Sequence, residues 1–204
     1  MRFNGLRWPL LLAVSIAATY GADNDKTPFV AKAAAAYPHH QTSEKVTIAA
    51  EPMETDEQTH EPFGKVNPYR YGILPVLIVV QNDGPDAIHL DKLDFTYTLP
   101  DNTHIHATPA QDLRFLRGAA PPKGLPGPTG GIAIKKPPKN PLAEWEIEGR
   151  AFAAKMLPAG QSASGFVYFQ VPQSSQAATV SIDGLVNAVT NKALFYFEIP
   201  MSGK

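Results

Sequence analysis

The chain has 204 residues, 44% of them hydrophobic, a formal net charge of -1 and no cysteine. The charge excludes a general attraction to nucleic acid or anionic membrane, and the hydrophobic content excludes wholesale disorder. Without cysteine there are no disulfides, thiolate metal ligands, cysteine nucleophiles or lipid-modified lipoprotein cysteines, so the fold must rest on its core alone.

Residues 1–22 read as a secretory signal peptide. Arg2 and Arg7 give a positive start, an apolar stretch runs from Trp8 to Thr19, and Ala17, Ala18, Gly21 and Ala22 lead into Asp23-Asn24-Asp25-Lys26. The apolar stretch is about a dozen residues, and a membrane-spanning helix needs roughly 20. The expectation is a bacterial protein exported to the periplasm or beyond, with no transmembrane segment once the signal is removed. An uncleaved anchor is the alternative. Residues 23–43 then read as a flexible tether, because four alanines and Tyr37-Pro38-His39-His40 show no sustained periodicity.

Residues 44–200 read as one domain with a β pattern. Val46 and Ile48 alternate with Lys45 and Thr47, which predicts a half-buried strand. The apolar, β-branched run 74–80 predicts a strand buried on both faces, ending at Asn82-Asp83-Gly84-Pro85. Ile88 and Leu90 alternate, the phase slips at Asp91-Lys92 as a bulge requires, and Leu93, Phe95, Tyr97 and Leu99 continue. Further strands are predicted over 152–157, 165–171, 179–185 and 193–199. Phe166 and Tyr168 are expected on one buried face of their strand, with Val167 and Phe169 on the other beneath a nearby helix. Seven or eight short strands with turns between them predict an all-β, antiparallel sandwich. The twenty prolines, about twice the usual ~5%, agree with short strands and stiff loops.

Two short helices are predicted. One starts at a Thr108 cap with Pro109 first and Gln111 completing the box; it carries Leu113 and Leu116 on one face and ends at Gly118. A weaker one starts at Thr55, with Gln58 in the box position. Between them and the later strands lies a Pro/Gly/Lys-rich loop over 119–141, with seven prolines, four glycines, four lysines and no acid. Structureless loops of that length are uncommon in compact domains and tend to be functional or disordered.

Four segments together carry a resemblance. They are Lys45-Val46-Thr47-Ile48-Ala49-Ala50-Glu51-Pro52, Gly72-Ile73-Leu74-Pro75-Val76 with Asn82-Asp83-Gly84, Gly165-Phe166-Val167-Tyr168-Phe169, and Leu194-Phe195-Tyr196-Phe197-Glu198-Ile199-Pro200. In these the chain resembles a group of uncharacterised exported bacterial proteins. The resemblance implies an immunoglobulin-like fold and an exported location, and it brings no functional residue with it.

Candidate chemistry is sparse. His104 and His106 form the metal candidate, since residues two apart on a strand share a face. If 101–103 is a three-residue turn, Leu99 opposes Ile105 and both histidines face solvent. A third ligand is missing on that face, so His89 or an acid from elsewhere would have to be recruited. His39-His40 is a weaker pair, placed in the tether.

Gly160-Gln161-Ser162-Ala163-Ser164 departs from Gly-x-Ser-x-Gly at its last position and precedes a strand, so a hairpin turn is expected. Glu144, Glu146 and Glu148 share a face if extended, which reads as a charged edge and not as glycosidase carboxylates. The aspartates 83, 86, 91 and 94 lack calcium-loop spacing and read as turn residues. Phe166, Tyr168, Phe195 and Phe197 read as core, while Tyr69 and Tyr71 are expected to be freer to face solvent.

No segment assembles nucleophile, base and orienting partner, and none calls for a cofactor. The expected function is a non-enzymatic binding or interaction module of the cell envelope. The loop lysines Lys123, Lys135, Lys136 and Lys139 are its candidate contacts for an envelope protein partner. The alternative is an exported metal-binding protein using His104 and His106.

Overall fold

The structure is a computed structural model describing residues 29–116, 125–126, 132–133, 140–143, 145–171, 177–194 and 196–201. The expected signal peptide and the start of the tether lie outside them. The chain forms β1 (His40–Ser43), β2 (Val46–Pro52), helix α1 (Asp56–Phe63), β3 (Ile73–Asn82), β4 (Ile88–His89), β5 (Asp94–Thr98) and β6 (His104–His106). It continues with β7 (Leu125–Pro126), β8 (Ile132–Ala133), helix α2 (Trp145–Gly149), β9 (Met156–Leu157), β10 (Ser162–Gln170), β11 (Thr179–Asp183), β12 (Val186–Asn187) and β13 (Phe197–Pro200). All strand pairing between these elements is antiparallel.

Two four-stranded sheets, ordered β1-β2-β3-β10 and β13-β11-β5-β6, face each other as an all-β sandwich. Their facing sides share one core. Ile48, Leu74, Val76, Ile78 and Phe169 of the first sheet meet Tyr97, Val180, Ile182, Phe197 and Ile199 of the second. A small sheet, β12-β4-β9, closes one end through Ile88 and Leu157.

β3 explains the third layer. Its side chains are buried on both faces, as the apolar run predicts, so its outer face also needs cover. Ile73, Leu77 and Val79 point away from the second sheet, joined by Ala49, Phe166 and Tyr168. Phe63 of α1, Leu113, Leu142, Ile147 of α2 and Ala34 of the N-terminal segment lie over them. Leu113 therefore covers the Phe166/Tyr168 face, the opposite of the expected side, and Val167 and Phe169 face the second sheet.

The tether ends earlier than expected. Phe29 packs on Phe166 at 5.6 Å between ring centroids, Ala34 is fully buried, and residues 40–43 pair with β2. A short alanine-rich turn lying over a sheet leaves no periodic pattern, which is why this cover reads as linker.

Several local expectations are corrected. At Asp91-Lys92 the chain leaves the small end sheet for the second large sheet, so the phase slip marks a change of sheet and not a bulge. Gly184 permits that crossing: its φ is +83°, and a Cβ there would lie 2.0 Å from the Lys92 carbonyl oxygen. The predicted strand 152–157 shortens to β9, because Phe152 instead donates its backbone N–H to Phe166 at 2.9 Å, beside an isolated parallel bridge between Ala151 and Phe166. The predicted strand 193–199 shortens to β13, with Ala193 in an isolated bridge to Val186. The turn 158–161 joins β9 and β10, which lie in different sheets, so it is not a hairpin. Thr55 and Gln58 do form the capping box of α1. Thr108 does not cap a helix: its backbone N–H bonds to Tyr168 at 2.7 Å, and a 3-10 helix Ala110–Phe115 follows a Pro109 cap.

Candidate interaction face

One corner of the helical cover gathers exposed apolar groups and an ion pair. The 3-10 helix Ala110–Phe115 buries Leu113 completely and leaves Phe115 74% and Leu116 41% exposed. α2 packs beside it, with Ile147 buried and Trp145 67% exposed. The expected extended Glu144-Glu146-Glu148 face is thus a helix. Helical spacing turns Glu146 into a buried position and leaves Glu148 outside, paired with Arg114. Glu144 lies outside the described residues. The Arg114 guanidinium also sits 5.8 Å from the Phe115 ring centroid, a cation–π distance. Trp145 stands about one helical turn before Glu148 on the same short helix.

The long loop springs from this corner. The Asn140 side-chain amide donates to the Arg114 carbonyl at 2.6 Å, which pins the two ends of the loop together. Within the loop, β7 and β8 pair with Leu125 opposite Ala133 and Pro126 opposite Ile132. The segment expected to be structureless therefore contains a short antiparallel ladder. Lys123, Lys135, Lys136 and Lys139 lie outside the described residues.

α2 is held from below by Tyr168, whose hydroxyl donates to the Ile147 carbonyl at 2.6 Å. Burial pushes this phenol far above its ordinary range, and the nearby Arg150 charge opposes that push. The group stays a proton donor at any working pH, a structural role.

The metal candidate sits elsewhere, on the outer face of β6. Tyr97 opposes Ile105, so the strands pair two residues away from the expected register. The turn is Pro100-Asp101-Asn102, closed by Leu99 and Thr103 at 2.9 Å, with Asn102 at φ +63°. Thr103 donates to Asp101 from its backbone N–H at 2.9 Å, and this bond lowers the Asp101 carboxyl pKa. A shift of two preserves which face each residue occupies. His104 and His106 are therefore exposed, beside Thr98 at 3.0 Å and Thr96 at 3.4 Å. Asp94 approaches His106 to 3.7 Å. His89 is drawn instead to Asp91, at 4.0 Å. Among the described residues, no group of three or more His, Asp or Glu is placed to hold a metal. Zinc is expected to bind only weakly and without fixed stoichiometry at neutral pH. Calorimetric titration checks this, and a tight one-to-one site lost in His104→Ala would contradict it.

The remaining candidates are committed to structure. His39 bonds to Glu51 at 3.0 Å and His40 to the Tyr37 carbonyl at 2.7 Å. Ser162 opens strand β10, with no helix after it. Asp86 accepts from Asn187 at 3.0 Å and Asp83 from Gln81 at 3.0 Å. Tyr69 and Tyr71 do not face solvent freely; each packs against a core cluster. Between them Arg70 pairs with Asp56 and lines a cleft of about 300 Å³ with His60, Lys65 and Asn67. A shallower one of about 480 Å³ lies at the α1 N-terminus.

No family model and no curated protein matches the chain. Among solved structures, it is similar to a candidate lipoprotein, ycdA, from Bacillus subtilis at 14% identity and a TM-score of 0.39. That match covers 79% of this chain and 38% of the Bacillus chain, so the chain spans well under half of it. It is also similar to a Listeria monocytogenes protein of unknown function, at 10% identity and a TM-score of 0.36, covering 81% and 82% of the two chains. No helix among the described residues is long and apolar enough to cross a membrane.

Proposed function

We propose that the chain is an exported, non-enzymatic interaction module of the bacterial cell envelope, built on an immunoglobulin-like sandwich. The observation that carries this reading is the corner where Asn140 pins the long loop beside exposed Phe115, Leu116 and Trp145. Single exposed apolar residues are ordinary on a surface; here three lie on two short elements joined by the Arg114–Glu148 ion pair. The residues that a hydrolase would have recruited support the non-enzymatic part. Glu146 is buried, Glu148 is paired with Arg114, and Ser162 is a strand residue.

Expressed in a bacterial host, the protein is expected outside the cytoplasm, with a mature start between Ala18 and Asp23. Fractionation with N-terminal sequencing checks this; full-length chain held in the cytosol would overturn it. The exported chain, immobilised, is then expected to retain a reproducible component of envelope extract. Recovery of nothing above a control protein would remove the interaction reading.

A further inference from the structure

The small end sheet carries a pair of side chains that its packing does not use. β4 and β9 lie antiparallel, with Ile88 opposite Leu157 and His89 opposite Met156. Ile88 and Leu157 are buried in the shared core. Alternation along each strand then turns His89 and Met156 together to the outer face. Met156 is 51% exposed there, whereas Met53 and Met201 are buried.

The register also sets their separation. The Leu90 N–H donates to the Lys155 carbonyl at 2.8 Å, so this inter-strand bond joins the residues on either side of the His89–Met156 position. That position is therefore a non-hydrogen-bonded pair, where cross-strand side chains stand closest, with Cβ atoms roughly 4.5–5.5 Å apart. An imidazole and a thioether at that spacing can reach one ion between them. The imidazole is engaged on one side only. Its Nδ1 lies 4.0 Å from Asp91 Oδ1, within ion-pair range and beyond hydrogen-bond range. Among the described residues, nothing hydrogen-bonds its Nε2. A carboxylate on the Nδ1 side is the arrangement that directs Nε2 toward a metal. On the far side of His89, β12 places Val186, an apolar neighbour.

We propose that His89 Nε2 and Met156 Sδ bind one copper(I) ion, with Asp91 as a positioning residue for the imidazole. Thioether sulfur is a soft ligand that selects copper(I), and imidazole suits copper equally. Zinc draws on nitrogen, thiolate and carboxylate ligands in a closed tetrahedral set, which this pair does not supply. Copper(I) has a filled d shell and tolerates low coordination, so one imidazole and one thioether completed by solvent suffice. The face at His104 and His106 offers no sulfur. Its neighbouring groups are the hydroxyls of Thr96 and Thr98 and the Asp94 carboxylate, all hard oxygens. Binding at His89 and Met156 is coordination alone, with no electron transferred, and it stands apart from the interaction-module reading.

The test supplies copper(I), kept reduced by ascorbate under argon, to protein with isotopically labelled methionine methyls. The Met156 methyl should shift and saturate at one equivalent, together with the His89 ring protons, while the Met53 and Met201 methyls stay in place. Zinc should leave all of these methyls unmoved. In competition with the copper(I) chelator bicinchoninate, Met156→Leu and His89→Gln should each lose the site. Asp91→Asn should weaken it about tenfold, and His104→Ala with His106→Ala should leave it unchanged. These side chains are exposed or half-buried, so thermal melts of the variants should match the parent. The methyl shift is read on the parent protein, so a variant that fails to fold leaves the test in force. A Met156 methyl that does not respond to copper(I), or an affinity untouched by Met156→Leu, overturns the proposal. So does copper(I) binding that is lost in His104→Ala with His106→Ala and kept in His89→Gln.

Discussion

Phe166→Ala is expected to cost about 3–5 kcal/mol, the range for deleting a buried phenylalanine when the site cannot collapse. Phe166 is 2% exposed, opposes Leu77 on β3, and packs against Phe63 at 4.7 Å and Phe29 at 5.6 Å. Its backbone is held independently, donating to Arg150 at 2.8 Å and accepting from Phe152 at 2.9 Å. The strand should therefore survive and leave a cavity between the sheet and its helical cover. Urea melts check this: the midpoint should fall with the slope unchanged. A loss below about 1 kcal/mol would contradict the packing of the third layer. Phe115→Ala, at a 74% exposed position, is the control and should stay within about 0.5 kcal/mol of the parent.

Asn82 should be nearly as sensitive, for a polar reason. It is 1% exposed, and its amide donates to the Asp86 carbonyl at 2.8 Å, Pro158 at 3.2 Å and Leu157 at 3.3 Å. Its side-chain oxygen accepts from Gly84 at 3.0 Å. One side chain thus ties the turn after β3 to the turn before β10, 75 residues away. Asn82→Ala leaves carbonyls without donors and is expected to cost about 2–4 kcal/mol. Asn82→Asp should be worse at neutral pH, because it turns a carboxylate toward carbonyl oxygens. Burial and those oxygens favour the protonated form, so the folded-state pKa rises above the unfolded one. Stability of this variant is then greatest at low pH and lost as pH rises through the folded pKa. Melts of the variant against the parent between about pH 4 and 7 test the sign. A variant gap that does not widen with pH would contradict the donor role.

Much of the sandwich was legible because its strands obey simple patterns. β3 is a long β-branched run, as a strand covered on both faces must be, and β10 alternates two sets of large residues for two cores. The α1 cap was readable because Thr55 and Gln58 satisfy each other locally. What failed were segments where local pattern underdetermines structure. Trp145, Glu146, Ile147 and Glu148 alternate as a strand would, and five residues are too few for a helical period to assert itself. The slip at Asp91-Lys92 fits a bulge or a change of sheet equally well, and only Gly184 approaching Lys92 from far along the chain decides it.

The corner proposed for interaction was half legible. The lysine-rich loop stood out by composition, but Phe115 and Leu116 were absorbed into a helix and Trp145 into an edge strand. Folding is what brings residues 34 apart into one ion pair, Arg114 with Glu148, with the Phe115 ring beside the guanidinium. A usable signal was present nonetheless. Large apolar residues flank both ends of an acid-free, lysine-rich stretch.

Replacing residues 119–141 with a short Gly/Ser linker tests the central claim most directly. Among the described residues, Asn140 joins the loop ends through its bond to the Arg114 carbonyl, and changing the length of a closed loop costs about 0.6 kcal/mol per doubling. The shortened protein is therefore expected to unfold at nearly the parental denaturant concentration while losing capture from envelope extract. Capture at the parental level, with folding intact, would contradict the claim that this segment and the corner beneath it are where the protein meets its partner.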